Sequence, residues 1–110
     1  MNEKSNFLNG LPELLILRLL SREEMYGYQL VAEIKARSGD ALDVSEGCIY
    51  PILHRLVGRR CLTRRREVVQ GRPRHYYRAS AKGVKYAGEL MGEFNKVVTG
   101  ATAVLEVQYV

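Results

Sequence analysis

Residues 45–79 read SEGCIYPILHRLVGRRCLTRRREVVQGRPRHYYRA, and the spacing of their apolar side chains changes once along the segment. Apolar residues first recur every three or four positions, which is typical of a buried helix face, and Ser45 is a good N-cap for that helix. Leu62–Val69 is rich in β-formers and Arg74–Ala79 alternates between two faces, so each is predicted to be a strand. The turn residues of Gln70–Pro73 separate them. We therefore predict a helix that opens at Ser45, followed by a β-hairpin.

Helical spacing predicts three more helices around this segment. Leu11–Leu20 and Gly27–Ser38 precede it, and Gly39 is expected to end the second of them in a left-handed conformation. A long helix over residues 81–107 follows it and would measure about 40 Å at 1.5 Å per residue. Its glycines Gly88, Gly92 and Gly100 disfavour a helix interior, so they either let another helix approach closely or break this one, with Thr99-Gly100 as the break point.

The last predicted helix has a longer apolar stripe than a domain of this size can cover. A second copy of the chain is the simplest cover, and packing on the chain's own first helix is the alternative; we expect both. The residues assigned to the contact between copies are Leu14, Leu17, Ala87, Leu90, Met91, Phe94, Val97, Val98 and Ala101.

The length of 110 residues fits one folded unit. The apolar run Leu14–Leu17 is far too short to span a membrane, and residues 1–10 lack the apolar core of a signal peptide. We therefore expect a cytoplasmic protein without membrane contact, whose two cysteines, Cys48 and Cys61, are reduced thiols.

Positive charge is concentrated between His54 and Arg78, in a stretch that we call the arginine block. The block has nine arginines and one acid and a net charge of +8, whereas the rest of the chain has eight basic and eleven acidic residues and a net charge of −3. Arginine binds phosphate oxygens bidentately, so the block predicts a polyanionic partner; a solvated basic surface is the alternative. The nine are Arg55, Arg59, Arg60, Arg64, Arg65, Arg66, Arg72, Arg74 and Arg78.

Catalytic and metal-binding patterns are missing from the sequence. It has two histidines, no G-x-S-x-G, no Walker loop and no Cys-x-x-Cys, and the spacing of Cys48 and His54 places them on different helix faces. We therefore predict that the chain is not an enzyme and that it uses no metal and no cofactor. Oxidation of Cys48 would add bulk or charge at the start of its helix and stays an open alternative.

Three helices, a hairpin and a final helix are the element order of a winged helix-turn-helix with an added dimerisation helix. The predicted fold is mostly α with a small β-hairpin, with the winged unit in residues 1–80 and the dimerisation helix in residues 81–110. In this arrangement the third helix enters the DNA major groove, and the hairpin, or wing, contacts the neighbouring backbone.

The exposed side of the third helix, the wing and the entry to the second helix supply the candidate DNA contacts. Arg55 is expected to read bases, since arginine on guanine is the commonest specific contact, and Arg72 and Arg74 are expected to hold phosphates. Tyr77 is predicted to be core, Tyr76 surface and Tyr28 a packing residue. The full candidate set is Tyr26, Ser45, Glu46, Gly47, Cys48, Tyr50, Pro51, His54, Arg55, Arg72 and Arg74.

Three segments of the chain resemble motifs of PadR-type transcriptional regulators. Tyr26–Leu30 is similar to their "YGYEL", Ser45–Leu56 to "EGTLYPxLxRL" and Gly71–Arg78 to "GRPRKYYR". The sequence departs from the pattern at Cys48, where threonine is usual, and at Ala79, where leucine is usual. The short final helix resembles the compact subfamily with a single C-terminal dimerisation helix.

This resemblance implies a cytoplasmic repressor that binds a pseudo-palindromic operator in double-stranded DNA as a homodimer. It also implies release of the operator when a small aromatic or hydrophobic effector binds. From another class, the alternative is a winged-helix adaptor or anti-repressor whose long apolar helix binds a different protein. RNA binding is a third reading, which the deep, narrow major groove of A-form RNA disfavours.

Overall fold

The computed structural model describes residues 7–108 and has four helices and three short strands. The strands form one antiparallel sheet in the order β1-β3-β2. This architecture confirms the predicted winged-helix fold with a long final helix. The elements are α1 (Phe7–Arg22), β1 (Met25–Tyr26), α2 (Gly27–Arg37), α3 (Glu46–Gly58), β2 (Leu62–Val69), β3 (Arg72–Ala79) and α4 (Ala81–Leu105).

The core lies where α1, α2 and α3 meet the sheet. Each helix contributes side chains at helical spacing, and Tyr77 of β3 covers the core from the sheet side, as predicted. Removal of these apolar groups from water is the main stabilising contribution to such a domain. The fully buried large side chains are Ile16, Leu17, Leu20, Met25, Leu30, Ile49, Leu53, Leu56 and Cys61.

The β2–β3 hairpin has a loop of only two residues. Val69 pairs with Arg72, and between them Gln70 and Gly71 both have positive φ, 53° and 80°. This is the geometry that a two-residue hairpin turn requires. The predicted turn over Gln70–Pro73 was therefore two residues too long, and Arg72 and Pro73 belong to β3.

β1 is a strand that the sequence pattern did not predict. Its two residues pair with the middle of β3, Met25 opposite Tyr77 and Tyr26 opposite Tyr76. Two residues are too few to show any periodicity, so only the partner strand defines them. The pairing fixes the start of α2 against the wing.

The predicted start of α1 was wrong, and α4 does not break at Thr99-Gly100. α1 begins at Phe7 rather than Leu11, and α4 continues to Leu105. A glycine costs a helix about 1 kcal/mol without removing a hydrogen bond, so one glycine does not end a long helix. The predicted left-handed glycine after α2 is confirmed, since Gly39 has a φ of 62°. No helix within residues 7–108 is long and apolar enough to cross a membrane.

The first turn of α4 is anchored on the end of α3. The backbone N–H of Ser80 donates to the Cys61 carbonyl at 2.9 Å, and the Ser80 hydroxyl donates to the Arg60 carbonyl at 2.7 Å. The same hydroxyl caps α4 by accepting from the N–H of Gly83 at 3.1 Å. Gly83 is buried, and a Cβ there would overlap the Cys61 carbonyl oxygen. The close approach of α4 therefore depends on this glycine.

Candidate nucleic-acid interface

The exposed side of α3 presents most of the predicted DNA contacts. Ser45 caps the helix by accepting from the Cys48 N–H at 3.2 Å, which fixes how the N-terminus is presented. One side of the helix is buried in the core, and the opposite side is open to solvent. The exposed candidates on this segment are Ser45, Glu46, Gly47, Cys48, Tyr50, Pro51, His54 and Arg55.

Tyr50 lies against the backbone of Gly27 at the start of α2. A Cβ at Gly27 would come within 2.6 Å of the Tyr50 hydroxyl oxygen, so any residue larger than glycine would displace the Tyr50 ring. The Tyr50 hydroxyl also lies 3.5 Å from a carboxylate oxygen of Glu46. Burial raises the pKa of Tyr50, and the charge of Glu46 raises it further, so the phenol stays protonated and able to donate.

A groove of about 570 Å³ separates the start of α2 and α3 from the wing. Tyrosines line its helix side, and basic residues of the wing line the other. Aromatic rings and guanidinium groups in one groove suit a sugar–phosphate chain, since they offer stacking surface and phosphate donors together. The lining residues are Tyr26, Gly27, Tyr28, Tyr50, Val69, Gln70, Arg72, Pro73, Arg74, His75 and Tyr77.

A chain of contacts between two arginines and two tyrosines, in the order Arg74, Tyr26, Tyr76 and Arg65, connects the strands of the wing region. The Arg74 guanidinium lies 4.1 Å from the centre of the Tyr26 ring, and the Tyr26 and Tyr76 ring centres are 5.5 Å apart at 76°. Arg65 lies 4.5 Å from the Tyr76 ring centre on β3. Cation–π contacts and an edge-to-face pair thus connect β1, β2 and β3. Tyr76 was predicted to lie at the surface, and the structure places it half-buried.

The arginine block divides into paired and unpaired side chains. Arg65 binds Glu24 at 2.7 Å and Glu67 at 2.9 Å, and hydrogen bonding to Arg65 lowers the pKa of Glu24. Arg55 binds Glu13 of α1 at 2.6 Å. No acid among residues 10–108 forms an ion pair with the exposed arginines Arg60, Arg64, Arg66, Arg72 and Arg78.

The remaining candidates divide between the groove and the core. Arg72 is exposed at the wing tip, and the half-buried Arg74 and Tyr26 face the groove. Tyr28, predicted to pack, is 60% exposed, because it follows Gly27 on the groove side of α2. Sequence reasoning missed Gly27, although its place between two tyrosines was the available signal. It also missed Glu13, for which no local signal exists.

The residues assigned to the contact between copies do not all remain available for it. Leu14, Leu17 and Ala87 are buried within the chain itself and leave little surface for a second copy to contact. They pack where α4 crosses α1. Leu90 and Phe94 are half-buried, whereas the rest of the set is exposed on α4: Met91, Val97, Val98 and Ala101.

The fold and groove define the class of winged-helix transcriptional regulators. Within it, residues 16–89 match the model of the transcriptional regulator PadR-like family, and the chain belongs to that family. The predicted resemblance is thereby confirmed. Because the family consists of transcriptional regulators, the prediction that the chain is not an enzyme agrees with its membership.

Solved structures of similar proteins have the same fold. A PadR-like transcription factor from Bacteroides fragilis is 31% identical, with a TM-score of 0.75 over 94% of this chain and 99% of its own. A PadR-like regulator from Bacillus cereus is 29% identical, with a TM-score of 0.76 over the same shares. PadR of Bacillus subtilis, solved in complex with operator DNA, is 22% identical, with a TM-score of 0.67 over 72% of this chain and 45% of its own.

Proposed function

We propose that the protein is a homodimeric, sequence-specific repressor that binds DNA through α3 and the wing. The observation behind this proposal is the groove of tyrosines and arginines between Tyr50 of α3 and Arg72 and Arg74 of the wing. Inserting α3 into a major groove brings this groove onto the adjacent sugar–phosphate backbone. The proposed contacts are those of the predicted set on Tyr26, residues 45–54, Arg72 and Arg74; Arg55 is left out because it is paired with Glu13.

The fold comparison supports the choice of DNA as the partner. Bacillus subtilis PadR shares this architecture and was solved with operator DNA. The charge of this chain points the same way, because five exposed arginines of the block form no ion pair with an acid among residues 10–108. Exposed guanidinium groups concentrated in one segment of a small domain attract a polyanion.

The exposed apolar side of α4 supports a dimer. Val97 and Val98 are 39% and 36% exposed, and Val104 and Leu105 near the helix end are 83% and 65% exposed. If the stripe of one copy packs against the same stripe of a second copy, both stripes are covered, and the complex has two-fold symmetry. Two-fold symmetry in turn requires an operator with two inverted half-sites.

Two finer parts of the proposal rest on the family resemblance. One is repression relieved by a small aromatic or hydrophobic effector, and the other is action in the cytoplasm. Titration of the protein–DNA complex with simple phenolic acids tests the first, with release of DNA as the expected result. Unchanged DNA binding with every compound of that class counts against an aromatic effector.

A salt titration with two arginine variants tests DNA binding itself. The wild type first selects duplexes from a random-sequence pool, and affinity for a selected duplex is then measured between 50 and 200 mM salt. Arg72→Ala removes an exposed cation and should lower the slope of log affinity against log salt by about 0.9 per chain. Arg65→Ala makes the same charge change but removes an arginine already paired with Glu24 and Glu67, and should leave the slope unchanged.

Failure takes a clear form in that titration. The proposal is wrong if the wild type enriches no duplex from the pool or binds with no dependence on salt. Equal slopes for the Arg72 and Arg65 variants would show that the wing tip does not contact phosphates.

A further inference from the structure

Arg55, the arginine of α3 expected to read bases, is not free to do so. Its Nη2 lies 2.6 Å from Oε2 of Glu13, and the Glu13 side chain is only 13% exposed. A carboxylate so enclosed is poorly solvated, so separating it from its cation carries a cost. Moving Arg55 onto a base would leave this carboxylate without its cation, beside the negative charge of the DNA.

A residue of α4 reinforces the same ion pair. Tyr86 is half-buried; burial raises the pKa of its hydroxyl, and the interaction with Glu13 raises it further, so the phenol remains a donor toward the carboxylate. Arg59, at the end of α3, lies 5.2 Å from the centre of the Tyr86 ring. Glu13 is thus enclosed by groups from α3 and α4 that keep its side chain in place.

The part of α3 that lies directly opposite the core offers few side chains that can read a base. Helical spacing places four exposed residues there, across from the buried Ile49, Ile52, Leu53 and Leu56. Two are glycines and one is proline, none of which has a side-chain donor or acceptor. The four are Gly47, Pro51, His54 and Gly58.

His54 is therefore the one side chain at the centre of this exposed side that can form hydrogen bonds. Tyr50 lies to one flank against Gly27, and Arg55 lies to the other flank on Glu13. No hydrogen bond or ion pair with a residue that the structure describes occupies the His54 imidazole. A neutral imidazole has one donor and one acceptor, so it can bond a base edge directly.

We infer that Glu13 withholds Arg55 from DNA and that His54 is the main base-reading residue of α3. This inference rests on the proposed function, since it names the residue that gives the DNA-binding helix its sequence preference. Arg55 then serves to join α3 to α1, and the recognition helix contributes little positive charge of its own. Nonspecific affinity comes instead from the wing arginines.

The test compares charge-matched variants on two duplexes, one selected from the random pool by the wild type and one scrambled duplex of the same composition. The double variant Glu13→Gln with Arg55→Gln replaces a neutral ion pair by two neutral amides, so net charge is unchanged. It should bind both duplexes within about two-fold of the wild type and select the same consensus. His54→Ala should bind the selected duplex about ten-fold more weakly and the scrambled duplex unchanged.

The single variant Glu13→Gln tests the withholding directly. It frees Arg55 and should tighten binding to both duplexes by about five-fold at 100 mM salt, with a steeper salt slope. Glu33→Gln is its control, since it makes the same charge change and frees Arg37 on α2, which binds Glu33 at 2.8 Å. The control should remain within about two-fold of the wild type.

Three results would overturn the inference. They are loss of the consensus in the double variant, an unchanged consensus in His54→Ala, and weaker binding of the selected duplex by Glu13→Gln, which would mean that Glu13 orients Arg55 for a base. Thermal melts of each variant show whether it is folded. Failure of the proposed function looks different, because the wild type would then enrich no consensus at all.

Discussion

The two ends of α4 differ in how much of their apolar surface the chain itself buries. At its start, Gly83 and Ala87 are buried against the winged-helix body, and Ser80 bonds to two carbonyl oxygens at the end of α3. Beyond Ala87, every described residue of α4 is half-buried or exposed, and Leu105 at its end is 65% exposed. The winged body completes its own core, whereas the distal half of α4 leaves its apolar stripe uncovered, where we propose that a second copy binds.

This contrast assigns different roles to the two regions. The body positions α3 and the wing through contacts within one chain, so each copy can present its own groove. In the proposed dimer, the distal part of α4 sets only how two such bodies are arranged. Substitutions near Gly83 should therefore affect folding, and substitutions beyond Ala87 should affect assembly.

Gly83→Ala should give the largest effect. The new Cβ would overlap the Cys61 carbonyl oxygen. That oxygen accepts a hydrogen bond from the Ser80 N–H, so it cannot move aside without straining this hydrogen bond. We expect a loss of about 3 kcal/mol in the free energy of unfolding, measured by urea denaturation. Gly92→Ala on the same helix meets nothing within 4 Å and should instead stabilise by about 1 kcal/mol. Equal changes in the free energy of unfolding for Gly83→Ala and Gly92→Ala would contradict the contrast between the two ends of α4.

Val98→Glu should separate the copies without unfolding them. It places a charge on the exposed stripe, and burial of an unpaired carboxylate between two helices should weaken the dimer by about 2 kcal/mol or more, roughly 30-fold in dissociation constant. Thr99→Glu adds the same charge one residue away, off the stripe, and should leave the dimer intact. Sedimentation equilibrium measures both, and a dimeric Val98→Glu would show that the stripe is not the interface.

Gly27→Ala changes the groove of the winged-helix body and should lower DNA affinity more than stability. The new Cβ displaces the Tyr50 ring, which is 39% exposed and can swing outward, so stability should fall little. DNA affinity should fall by about five-fold, or about 1 kcal/mol, because Tyr50 leaves its position beside the backbone. Adding Gly27→Ala to Tyr50→Ala should cost nothing further in affinity, and a further loss would mean that Gly27 acts through something other than Tyr50.

Glu24→Gln should have the smallest effect on stability, since it removes only a surface ion pair with Arg65 of the wing. Arg65 lowers the pKa of Glu24 in the folded state, so the stabilisation is present above the ordinary carboxyl pKa and disappears as pH falls through the lowered value. The variant should melt slightly below the wild type at pH 7, and the difference should shrink as the pH falls below the ordinary carboxyl pKa. A difference that grows on acidification would contradict this assignment.

The sequence predicted the parts of the fold that are defined locally. α3 and β2 were placed because Ser45 marks a helix start and because the apolar period changes before Leu62. β1 and the upstream limit of α1 were missed, since two paired residues and the first turn of a helix have no period of their own. The continuity of α4 past Gly100 stayed open, because the modest helix preference of one glycine does not decide whether a long helix breaks.

The site was less predictable, because its details depend on contacts between distant segments. The exposed side of α3 followed from helical spacing, but the pairing of Arg55 with Glu13 joins residues 42 positions apart. The same holds for Arg65 and Glu24, 41 positions apart. A basic segment predicts that some arginines meet acids, and only the packing of α1 and the sheet shows which ones.

Hydroxyl-radical footprinting of the wild type on a selected duplex tests the central claim most directly. A dimer that inserts one α3 into each of two grooves should protect two half-sites related by a dyad, with centres about 34 Å apart or a multiple of that. A single protected stretch without symmetry, or no protection at low salt, would contradict a two-fold DNA-binding regulator.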